Sequence, residues 1–88
     1  MTFEFDPNKS AANLAKHQID FIRAQGLWLD PDGLTIPVKS RTETRDVLIA
    51  KLDGEIWAAV FTVRGESLRL ISVRRAHEDE KIAYANLW

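Results

Sequence analysis

"DVLIAKLDGEIWAAVFTVRGESLRLISVRR", residues 46 to 75, decides the fold. Asp46 to Leu52, Glu55 to Arg64 and Ser67 to Arg75 alternate with period two and are rich in β-branched residues, which predicts three strands. Asp53-Gly54, between the first two, is a preferred pair for a two-residue hairpin turn because both central positions there need positive φ. Gly65-Glu66 turns the second pair, and connections this short imply an antiparallel meander. Ile56-Trp57-Ala58-Ala59-Val60-Phe61 is apolar at successive positions, so the middle strand is central and covered on both faces. In the last strand, regular alternation puts Leu68, Leu70, Ser72 and Arg74 on one face and Arg69, Ile71, Val73 and Arg75 on the other. The adjacent Arg74 and Arg75 therefore point to opposite sides of the sheet.

Working outward, Thr2 to Phe5 is a short, weakly alternating strand. Asp6-Pro7 then starts a helix, with a carboxylate able to accept first-turn N–H groups and a proline whose φ is already set. The helix runs from Pro7 to about His17, with Ala11, Leu14 and Ala15 as a slim apolar stripe and Lys9, Asn13, Lys16 and His17 on a polar face. A second short helix is expected from Ile19 to about Leu27, between Asp20 and Gly26. Leu34 to Val38 reads as an edge strand, since Pro37 cannot donate to a central ladder. A terminal helix begins near His77 and carries Glu80, Tyr84 and Trp88 on one side, with His77 and Lys81 beside them. The expected fold class is α+β, a small antiparallel β-sheet meander with N-terminal helices and a C-terminal helix packed on it, in a single domain over residues 1–88.

Composition narrows the function classes. The 88 residues are 45% hydrophobic with 4 Gly and 3 Pro, enough for one modest core. Cysteine is absent, which excludes disulfides, a thiolate nucleophile and Cys-based zinc binding. MTFEFDPNK does not read as a secretory leader, and the longest apolar run, Ile56 to Phe61, is too short to span a bilayer, so a cytoplasmic protein without membrane contact is expected. A net charge of −1 and a pI near 6.1 give no general attraction to nucleic acid, so any such binding must come from a local patch. No H-E-x-x-H or clustered-carboxylate spacing appears, so neither a metal site nor a cofactor is expected. Nothing resembles a helix-turn-helix or a basic recognition helix.

Phe3-Glu4-Phe5-Asp6 with Lys9, Asn13, Lys16-His17 and Phe21, then Arg64-Gly65, Arg69-Leu70-Ile71-Ser72, Arg74-Arg75-Ala76, Glu80 and Tyr84, together resemble the BrnT toxin family. The likeness spans nearly the whole chain. It implies a RelE-like fold, a ribonuclease that stops translation, and a cognate BrnA-like antitoxin whose ribbon-helix-helix domain would be the only route to DNA.

Such a ribonuclease, working without metal on an RNA substrate, needs three things where the 2′-OH attacks its neighbouring phosphate: a proton acceptor, cations for the phosphorane charge and a donor to the leaving oxygen. Arginine suits the second role because its planar fork pairs with phosphate oxygens. Arg64 and Arg74, near the ends of neighbouring strands, are the first candidates, with Arg69 and Arg75 behind them. His17, Glu80, Tyr84 and, below them, His77 are the proton-transfer candidates. Lys9 and Lys16, with Asn13 between them, are candidates for contacts to the RNA backbone, although three polar groups on one helix face are commonly just hydrated. Arginines on strand ends are also commonly a solvated rim, and His17 can simply meet the carbonyls at its helix end. A second reading therefore stays open, in which the low pI and the Glu78-Asp79-Glu80 run mark a non-catalytic module that only contacts its antitoxin. Trp28 and Trp57 are expected in the core, with partner contact as the alternative for Trp28.

Overall fold

The structure is a computed structural model that describes residues 2–39 and 43–86. Three strands, β3 (Thr44–Leu52), β4 (Glu55–Arg64) and β5 (Ser67–Arg75), form the predicted meander. Asp53 and Gly54 hold φ of 51° and 82° at the first turn, the positive pair that this hairpin requires. Strand β2 (Leu34–Lys39) joins β3 antiparallel at one edge, where Pro37 is tolerated. At the other edge lies β1 (Thr2–Glu4), giving the order β1-β5-β4-β3-β2.

The expectation of a wholly antiparallel sheet is corrected here, because β1 pairs with β5 in parallel, Thr2 opposite Ser67 and Glu4 opposite Arg69. Parallel neighbours need a long crossover. The helices and the other three strands supply it, and short-range turn chemistry gives no hint of it.

Helix α1 (Pro7–His17) starts at Asp6, whose carboxylate accepts the Asn8 N–H at 2.8 Å. Its packing inverts the hydropathy reading. Ala11, Leu14 and Ala15 are exposed, while Ser10 and Asn13 are buried. The reason lies in the sheet. Because β1 covers only Ser67 to Arg69, the edge of β5 beyond it has no strand beside it among the described residues, and Asn13 takes that place. Its amide Nδ2 donates to the Val73 carbonyl at 2.9 Å and to the Ile19 carbonyl at 2.8 Å, and its Oδ1 accepts the Val73 N–H at 3.1 Å. Buried backbone groups must be paired somewhere, and here a side chain does it. Ser10 similarly accepts the Phe21 N–H at 2.9 Å. The second helix is shorter than expected: α2 (Phe21–Ala24), capped by Asp20, tightens into a 3-10 turn over Gln25–Leu29. Helix α3 (Glu78–Ala85) follows the meander.

The sheet separates two apolar clusters. Under α1 and α2 lie Ile19, Phe21, Leu27, Leu48, Trp57, Phe61, Leu68, Leu70 and Val73, with Trp28 packed edge-to-face on Phe3 and Phe61. The opposite face holds the smaller group Val47, Ile49, Ala58 and Ala76, against which Tyr84 packs.

A bulge corrects the face assignment in β5. Val60 pairs with Ser72 but Phe61 pairs with Leu70, so Ile71 is the extra residue. Beyond it the alternation shifts by one, and Val73 joins Leu68 and Leu70 in the larger core. Arg74, opposite Ala58, lies on the α3 face, and Arg75, opposite Trp57, lies on the α1 face. The two arginines do diverge, although Arg74 no longer shares a face with Leu68 and Leu70.

Candidate functional site

Directly opposed residues on neighbouring strands share a face. That rule places Arg69, opposite Thr62, and Arg64, two positions further along β4, on the face where Arg74 stands opposite Ala58. Arg45 on β3 has the parity of Val47 and Ile49 and joins them. Among the described residues, four arginines thus occupy one face of the sheet. They share three carboxylates: Arg74 with Glu80 at 2.7 Å, Arg45 and Arg64 with Glu43 at 3.2 and 3.9 Å, and Arg69 with Glu4 at 3.9 Å.

The Arg74 end is the most organised. Its guanidinium donates to both Glu80 oxygens, at 2.7 and 3.0 Å, and Nη1 also reaches the Arg75 carbonyl at 3.4 Å. Glu80 Oε1 further accepts the backbone N–H of His77 at 2.7 Å, closing the first turn of α3, and the His77 Nδ1 lies 3.8 Å away. Hydrogen bonding from Arg74 outweighs burial and holds the Glu80 carboxyl below its ordinary range, with the His77 N–H assisting. The bond from Glu80 likewise raises Arg74 against the effect of burial. The result is a fixed cation fork with an ionised acceptor and an exposed imidazole beside it.

Tyr84, one turn further along α3, takes a different partner. Its hydroxyl donates to Asp30 Oδ2 at 2.7 Å, and that carboxylate also accepts the N–H groups of Lys51 and Asp32. Burial opposes the Asp30 charge, but these three donors lower its pKa below the ordinary value. The bond to Asp30, then burial and the nearby Asp30 and Asp32 charges, push the Tyr84 phenol up to about 12. A phenol held protonated in this way is a poor proton acceptor near neutral pH. Tyr84 and Asp30 line a cleft of about 490 Å³ with Asp32, Asp53 and Lys51, where three carboxylates against one lysine oppose phosphate. Tyr84 is the only tyrosine, so its phenolate absorbance can be followed alone. The midpoint is expected near 12, falling toward 10 in Asp30→Asn. Because the folded value is the higher one, the stability that this bond contributes is present below about 10 and is lost as pH rises through about 12. A midpoint of 10 in the parent would remove the hydrogen bond from the account.

The remaining candidates are distributed by the sheet. Lys9, Lys16 and His17 belong to α1, on the face away from Arg74 and Glu80. Arg75 lies on that side too, over the Trp57 ring at 4.9 Å and bonded to Gln18 at 3.0 Å and Glu55 at 3.3 Å. Arg64 and Arg74 do stand at ends of neighbouring strands, but at opposite ends. Ala58, the partner of Arg74, and Arg64 are six residues apart on β4, about 20 Å at strand rise. The sequence reading passed over Arg45, and the parity of Val47 and Ile49 was the available signal. Leu87 and Trp88 lie outside the described residues.

Among the described residues no group of three or more His, Asp and Glu could hold a metal ion, and no helix is long and apolar enough to cross a membrane. A family model described as "Ribonuclease toxin, BrnT, of type II toxin-antitoxin system" matches residues 5–80. No curated protein matches the chain.

Proposed function

Since the chain belongs to the BrnT family of ribonuclease toxins of type II toxin-antitoxin systems, we propose that it binds and cuts RNA on the arginine-bearing face of its sheet. The gathering of Arg45, Arg64, Arg69 and Arg74 on that one face carries the reading. RNA phosphates compete with the carboxylates those arginines now hold, and the exposed pairs yield at little cost. Arg74 takes the scissile phosphate in its fork and stabilises the charge that develops there. Glu80 and His77 are the proton-transfer groups beside it, one already ionised and the other solvent-exposed. Arg69, Arg45 and Arg64 track flanking phosphates, as basic rows do on single-stranded nucleic acid. No step is routed through Tyr84, whose proton is committed to Asp30, or through His17 behind the sheet.

The reaction needs no metal, the protein acts in the cytoplasm, and the antitoxin implied by the family is a BrnA-like ribbon-helix-helix protein that covers this face. A second reading draws on the ion pairs themselves. With each of the four arginines already beside a carboxylate, the face can serve protein contact alone. The deciding experiment incubates partner-free protein with end-labelled RNA in excess EDTA, beside Arg74→Ala and Arg64→Ala. We expect cleavage by the parent, near-complete loss in Arg74→Ala and weakened RNA binding with residual cleavage in Arg64→Ala. A parent that leaves both free RNA and ribosome-bound message intact establishes the non-catalytic reading instead.

A further inference from the structure

Where β5 ends, the chain turns around the sheet into α3, and a groove of about 240 Å³ opens between that turn and the β3–β4 hairpin. Gly54, Glu55, Ile56, Arg75 and Lys81 line it. Two of its five residues are cations delivered from different elements. Arg75 has two anchors that do not depend on Glu55, the Trp57 ring beneath it and Gln18. Such anchoring means that little side-chain freedom remains to be lost when an anion arrives. Lys81 reaches the groove from α3 and forms no ion pair among the described residues. Among the described residues Glu55 is the only carboxylate in the lining. Its pair with Arg75 is about half exposed on both sides, a setting in which an ion pair holds weakly and a stronger acceptor displaces it.

From these observations we propose that the groove is a second anion subsite that takes a phosphate group of the RNA backbone, next to the one held by Arg74. The proposal rests on the ribonuclease reading for the identity of the ligand. The volume favours a phosphate over a whole nucleoside, since sites for larger ligands begin near 300 Å³. Continuity also favours it: Arg74 and Arg75 are consecutive, Glu80 and Lys81 are consecutive, and Arg74 Nη1 approaches the Arg75 carbonyl. A strand lying on the sheet face can therefore bend around the end of β5 and stay in contact with positive charge. The divergence of the two arginines then has a use, with one phosphate on each side of the bend.

Inorganic phosphate tests the subsite without requiring catalysis. In an NMR titration of the parent, the Gly54 and Glu55 amides and the Arg75 Nε–H are expected to shift saturably. Lys81→Ala, an exposed change that leaves the fold alone, should weaken that binding at least tenfold, and Lys81→Arg should restore it. Absence of saturation, or equal affinity in Lys81→Ala, overturns the subsite. For RNA, the salt dependence of binding a non-cleavable 2′-O-methyl oligonucleotide should lose about 0.7 from its log–log slope in Lys81→Ala, one phosphate contact on a single strand. An unchanged slope overturns its use by RNA. A parent that binds phosphate here yet cleaves no RNA removes the ribonuclease reading and leaves the anion subsite standing.

Discussion

Arg74→Ala is expected to lower the single-turnover rate of RNA cleavage by roughly 10²–10³-fold, the usual cost of removing one preorganised donor to a developing oxyanion. Arg74 already holds a two-oxygen anion in its fork at 2.7 and 3.0 Å, which is the arrangement that phosphate oxygens would occupy. Arg74→Lys keeps the charge without the planar fork, so it should recover only part of the loss. Folding survives the change because Glu80 still accepts the His77 N–H. Lys16→Ala, on the helix behind the sheet, should cleave at the parental rate. Parental cleavage by Arg74→Ala would move the chemistry off this face. Acid has a related effect on stability. Glu80 is held below its ordinary range, so what its pair with Arg74 contributes is present above the ordinary carboxylate value and is lost as pH falls through the lowered one.

Asn13→Ala is the substitution expected to cost most stability, roughly 3 kcal/mol, from about 1 kcal/mol for each of three buried backbone groups left without a partner. The better helix propensity of alanine returns at most about 0.7 kcal/mol. Asn13→Asp keeps an acceptor for the Val73 N–H but faces the Val73 and Ile19 carbonyls with negative charge, so it should be no milder. Urea unfolding followed by tryptophan fluorescence measures both. A loss below about 1 kcal/mol in Asn13→Ala would mean that water pairs those groups instead.

Local chemistry made much of this fold legible. Asp6-Pro7, Asp53-Gly54 and the Ser67–Arg75 bounds announce themselves in adjacent residues, and their elements fall where expected. What escaped depends on distant partners. The inward turn of Asn13 depends on an open strand edge sixty residues away. The bulge at Ile71 is hidden because Leu68 to Arg75 reads as regular alternation until its partner strand is known. Arg74 and Glu80 were both legible as candidates, but their bidentate pairing was not, since it depends on how α3 returns over the sheet. The separation of Arg64 from Arg74, by contrast, lay within reach of the sequence: the short Gly65-Glu66 turn makes β4 and β5 antiparallel, and that sense alone puts the two arginines at opposite ends.

The parallel pairing of β1 with β5 bears on how the molecule comes into being. Thr2 to Glu4 are made well before their strand partners, Ser67 to Arg69. Until those partners emerge, that segment has no place in the sheet. Contacts so distant in sequence form late and slowly. Arg74, Glu80 and Lys81 emerge later still, so the face that would bind RNA cannot exist before they are made. A ribosome making this protein therefore holds a chain without that face until Arg74 and Glu80 have emerged and β1 has found its partner.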